Sequence, residues 1–167
     1  IMLCGLSWRE VALIRAYARY VKQLRFGFSQ PFIAETLARH PDITSRLVAF
    51  FFNRFEPGVT GRKSRTEKLE AGLRDVLEAV ASLDYARLLR PFFMLIRATL
   101  RTNYFQVRED GGFPSYLSLK LDPSSIPDIP RPRPKFEIFV YSPRIEGVHL
   151  RAGPVARGGL RWSDRIE

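Results

Sequence analysis

At 167 residues with 46% hydrophobic and 13% aromatic content, the chain can bury an ordinary core as one domain or two small ones, which excludes a disordered tail. No apolar run approaches the roughly 18 residues that cross a bilayer and the start lacks a secretion signal, so a cytoplasmic location without a membrane partner is expected. The net charge of +10 raises nucleic acid as a partner, but Arg15, Arg19, Lys22 and Arg25 fall on one helical stripe, as a solvated face does, and nucleic acid is not expected.

Ser7 followed by Glu10 reads as a capping box opening a helix to about Phe26, with Val11, Ile14, Ala18 and Val21 inward and Gly27 ending it. A second helix fits about 30–39, with Ser29 as N-cap and Pro31 tolerated in the first turn. A third spans about 42–55. Its run Phe50-Phe51-Phe52 turns about 100° per residue, so this helix should be covered on more than one side, and a buried triplet is preferred to an exposed interaction ridge.

Pro57, Gly58 and Gly61 mark a loop, and a fourth helix of about 65–82 carries Leu69, Leu73, Val76 and Val80 inward. A fifth is expected from Asp84 to about Asn103, kinked or broken at Pro91. Six prolines between Pro114 and Pro134 punctuate an ordered connection in which Tyr116, Leu117, Leu119 and Leu121 suggest a short strand. Strands are expected at 136–141 and 147–151, joined by a turn at Ser142-Pro143-Arg144, and a further one at 159–162. The fold class is α+β: a helical region of about five helices at 1–110, a proline-rich connection at 111–134, and at 135–167 the opening of an incomplete sheet.

Cys4 is the single cysteine and cannot close an internal disulfide, and with only His40 and His149 besides it no set of soft metal ligands exists, so no metal is expected. The chemistry concentrates in the tail. From Pro130 to Arg165 there are eight Lys or Arg against three Asp or Glu, a balance that favours an anion. Adjacent Gly158 and Gly159 let backbone amides approach a ligand, and Arg157 before them can grip a carboxylate with two parallel hydrogen bonds. On composition alone a structural reading is preferred, a bulge at Gly158-Gly159 with Arg157 or Arg161 paired at the surface to Asp164 or Glu167. His149 reads as a satisfied sheet histidine rather than a base, and Asp164 as a structural pairing partner.

The string Pro154-Val-Ala-Arg157-Gly-Gly-Leu-Arg161-Trp162-Ser-Asp164-Arg165, preceded by Glu137-Ile-Phe-Val-Tyr-Ser-Pro-Arg-Ile-Glu-Gly-Val-His149-Leu-Arg151, closely resembles the large bacterial NAD-specific glutamate dehydrogenases. Trp8–Tyr17, Arg97–Gln106 and Leu119–Pro123 are similar to the same family, so the likeness covers nearly the whole chain.

This resemblance implies an oxidoreductase of amino-acid catabolism that converts L-glutamate to 2-oxoglutarate and ammonium with NAD as cofactor. Small hexameric glutamate dehydrogenases carry Lys-Gly-Gly-Leu-Arg-Phe, whose lysine helps hold the substrate's side-chain carboxylate, and Arg157-Gly158-Gly159-Leu160-Arg161-Trp162 is similar to that block. Arg157, Gly158 and Gly159 are thus the implied substrate-binding residues. Arginine in place of lysine keeps the charge while its planar fork changes the approach angle. Arg161 either pins a strand or adds to the anion field. The catalytic lysine and aspartate and the dinucleotide-binding domain are expected beyond Glu167, so no catalytic or NAD-binding residue is assigned here and the piece alone should be inactive. The rest of the same polypeptide is the implied partner, with a homo-oligomer for the intact protein. A non-catalytic helical interaction or regulatory module is the alternative.

Overall fold

The computed structural model describes residues 5–127, 129 and 133–151. Five helices come first: α1 Trp8–Gln23, α2 Gln30–Arg39, α3 Pro41–Phe55, α4 Arg62–Glu78 and α5 Leu83–Ala98. Four strands follow, β1 Thr99–Thr102, β2 Leu117–Leu121, β3 Phe136–Tyr141 and β4 Glu146–Arg151, paired in chain order as one antiparallel sheet. This is the α+β class the sequence implied.

Local chemistry sets the helix starts. The Ser7 amide donates to Glu10 Oε2 at 2.7 Å while the Glu10 amide donates to Ser7 Oγ, so two of the first-turn donors are satisfied reciprocally. Ser29 and Ser82 cap α2 and α5 by accepting from the amides three residues on. α1 ends at Gln23, three residues short of the expected Phe26, because the chain turns through a left-handed Arg25 (φ 58°) before Gly27 (φ 77°). α4 spans Arg62–Glu78 rather than about 65–82, beginning directly after a left-handed Gly61.

α5 departs most from expectation. The helix runs through Pro91 without a break but stops at Ala98, and Thr99–Thr102, expected as its last turn, is strand β1. A side chain from another helix finishes it: Arg54 of α3 donates through Nη2 to the carbonyls of Arg97 (3.1 Å) and Thr99 (3.0 Å), satisfying acceptors that a continuing helix would have used. The Asp122 amide donates to the Ala98 carbonyl at 2.9 Å, and Thr99 then pairs with Leu121. Helix therefore becomes strand with no loop between.

α5 touches each of the other four helices. On α3, Phe50 and Phe51 are fully buried and Phe52 half-buried, with the Phe51 ring edge-on to Tyr17 (6.2 Å) and Tyr104 (5.4 Å). The aromatic run is core, covered on more than one side. Leu117, Leu119 and Leu121 alternate onto one sheet face with Phe139 and Val148, and this face meets α1, where the rings of Tyr20 and Phe139 lie 5.2 Å apart. Helices and sheet thus share one core. Two tyrosine hydroxyls of α1 reinforce the junction: Tyr17 bonds Thr99 Oγ1 and Tyr20 donates to Glu137 Oε2, both at 2.8 Å and buried.

Candidate functional site

The β3–β4 hairpin carries the chain toward the segment singled out in the sequence. Its turn is closed by the Ser142 amide donating to the Ile145 carbonyl at 2.8 Å, while the Ser142 hydroxyl accepts from the amides of Ile145 (3.0 Å) and Arg144 (3.3 Å). α1 anchors the hairpin from below, with Arg19 Nε 2.5 Å from Glu146 Oε2 and Gln23 Nε2 donating to Glu146 Oε1 at 3.4 Å. Arg19 is therefore a half-buried tether rather than one more residue of the solvated stripe, on which Arg15, Lys22 and Arg25 are exposed.

Strand alternation sends a second set of side chains to the face turned away from the helices. Pairing aligns Arg101 with Lys120, Lys120 with Ile138 and Ile138 with His149, and sets Phe136 beside Arg151. Lys120 Nζ lies 4.1 Å from the centre of the Phe136 ring, a cation–π contact that fixes the ammonium over the strand. Along these paired strands no carboxylate shares the face, since Glu137 and Glu146 alternate to the opposite side. The consequence is a positive surface.

Two nitrogens on it are notable. His149 Nδ1 and Arg151 Nε are buried and have no hydrogen-bond partner among the described residues. Leaving such a group without a partner costs about 1–3 kcal/mol. His149 thus lies on a strand as expected, but it is not the fully satisfied histidine the sequence suggested.

Arg157, Gly158, Gly159, Arg161 and Asp164, with the expected strand at 159–162, lie outside the described residues. The last described strand, β4, ends at Arg151, six positions before Arg157 in the sequence. Arg101 and Lys120 were missed from sequence. The alternation of Leu117, Leu119 and Leu121 was signal enough to turn Lys120 the other way, whereas Arg101 was hidden inside the supposed helix.

Binding a dinucleotide calls for a strand, a glycine-rich turn and a helix whose first amides meet the pyrophosphate. Among the described residues no strand opens into an α-helix in that way, so they do not form that cradle. Nor is any helix among them long and apolar enough to cross a membrane.

Comparison with known proteins decides the ancestry. The family described as bacterial NAD-glutamate dehydrogenase, catalytic domain, matches residues 72–167, more than half of the chain, and glutamate dehydrogenase, helical motif 3, matches residues 1–57. The chain belongs to the bacterial NAD-glutamate dehydrogenase family. It is 56% identical over 163 residues to the NAD-specific glutamate dehydrogenase of Halomonas elongata, covering 98% of this chain and 10% of that protein. The enzymes of the same name from Pseudomonas aeruginosa and Mycobacterium tuberculosis are 50% and 48% identical, over 100% and 99% of this chain and 11% and 10% of theirs. The chain thus spans about a tenth of the length of these relatives. The catalytic-domain match begins inside α4 and takes in α5 and the whole sheet, so the positive face belongs to the family's catalytic portion.

Proposed function

We propose that the protein containing this chain oxidises L-glutamate with NAD and water to 2-oxoglutarate, ammonium and NADH in the cytoplasm, and that this portion contributes part of the substrate's carboxylate site. The observation that carries the reading is the family match, whose catalytic part covers the sheet and the Arg157-Gly158-Gly159 block. The homologous enzymes are named NAD-specific glutamate dehydrogenases.

In this reading Arg157 offers its guanidinium fork to the distal carboxylate, and the amides of Gly158 and Gly159 add donors where no Cβ intervenes. Arg161 strengthens the positive field. The face bearing Arg101, Lys120, His149 and Arg151 adds a positive potential that attracts the substrate and the dianionic product. Bound NAD supplies the hydride acceptor. The residues that hold it and those that move protons at the substrate's α-carbon belong to the remaining polypeptide, and this portion binds and orients.

The test is NADH formation by the intact protein with L-glutamate and NAD, compared with L-aspartate, whose distal carboxylate sits one methylene closer. Turnover with glutamate and little with aspartate is expected. No NADH from either would remove the assignment.

A further inference from the structure

On the helix-covered side of the sheet a second feature has the chemistry of a binding site. The β3–β4 turn, α1 and α2 together line a half-open cleft of about 500 Å³. That volume falls within the roughly 300–1,000 Å³ typical of small-molecule sites. Ile14, Ala18, Ile33 and Leu37 supply an apolar floor. Arg15 and Arg144 stand at the walls with Gln30 and Ser142.

The charges do not cancel. The lining holds three guanidinium groups and one carboxylate, a net charge of +2, and that carboxylate, Glu146, is already engaged by Arg19 and Gln23. Arg15 and Arg144 have no carboxylate partner among the described residues. They come from different elements, one from a helix and one from the hairpin turn, so a ligand with two anionic groups can satisfy both while a surface ion pair cannot. The first residue of α2 also lines the cleft, and the first turn of that helix carries no acidic residue to offset its positive end.

We propose that this cleft binds a small molecule bearing two or more carboxylate or phosphate groups on a short apolar frame, gripped by Arg15 and Arg144. Occupation joins the hairpin to α1 at a second point beside the Arg19–Glu146 tether. Since β4 leaves this hairpin, the bound anion steadies that strand, which precedes Arg157 in the sequence.

The intact enzyme tests this by calorimetric titration with two probes, inorganic pyrophosphate and tricarballylate, against the wild type and the Arg15→Gln, Arg144→Gln and Arg157→Met variants. Saturable binding of at least one probe is expected, weakened at least about tenfold by either cleft substitution and retained in Arg157→Met, as loss of one charge-assisted contact implies. The probe that binds tells phosphate from carboxylate chemistry. Both cleft residues have exposed side chains, so the variants should fold, and Arg15→Lys should keep part of the affinity. Binding of neither probe, equal binding to the cleft variants, or loss only in Arg157→Met would overturn the proposal.

Discussion

The hydroxyl of Tyr20 donates to the carboxylate of Glu137 across 2.8 Å, and both residues are fully buried where α1 crosses β3. A carboxylate buried on the inward face of a strand, opposite Leu121 and Leu150, is retained only if donors reach it. Tyr20 is one such donor, and its ring also packs against Phe139. The bond fastens α1, in the part matching the helical motif, to the sheet, in the part matching the catalytic domain.

Tyr20→Phe keeps the ring and removes this donor. Urea unfolding should show a loss of about 1–3 kcal/mol, the usual cost of depriving a buried acceptor of its bond. Tyr20→Ala should cost more, because the contact with Phe139 goes as well. An unchanged midpoint for Tyr20→Phe would mean that the junction does not depend on the hydroxyl.

The tether beneath the hairpin predicts a local effect rather than a global one. Arg19→Met removes the guanidinium beside Glu146 while leaving the aliphatic stem, and the pair is partly exposed, so its contribution to overall stability should be about 1 kcal/mol or less. Amide hydrogen exchange should accelerate at Ser142–Glu146 and remain unchanged in β2. Equal protection of the turn in variant and wild type would contradict the anchoring role.

Acid should loosen the exit of β2. Asp122 accepts from the Ser124 hydroxyl at 2.6 Å and the Ser124 amide at 2.9 Å, and these bonds hold its carboxyl below the ordinary carboxylate range. Because the folded form is the more acidic one, the stability it contributes is complete above the ordinary value of about 4 and is lost as pH falls through the lower folded value. Asp122→Asn should therefore destabilise near pH 7 and narrow the difference between pH 7 and pH 3, as read by denaturant midpoints. Parallel acid curves for both proteins would rule this contribution out.

Where the sequence was legible, a local rule sufficed. Ser7 with Glu10 and Ser29 with its following turn announced helix starts by chemistry that acts within one turn, and Phe50–Phe52 announced a central helix because three successive rings cannot share one side. The errors came where distant residues decide. Thr99–Thr102 continues an apolar helical pattern, and what converts it to a strand is Arg54, forty-odd positions earlier, together with pairing to Leu119–Leu121. With β1 hidden, the alignment of Arg101 and Lys120 was hidden too. The proposal for Arg157-Gly158-Gly159 rests mainly on kinship: composition alone left the block open between a ligand site and a bulge.

The proposed grip of Arg157 on the distal carboxylate of glutamate is read out by the glutamate KM of the intact enzyme carrying Arg157→Met. The expected result is a weakening of about 2–4 kcal/mol, roughly 30- to 900-fold, as for removing one half of a buried charge pair. A glutamate KM equal to that of the wild type would contradict the assignment.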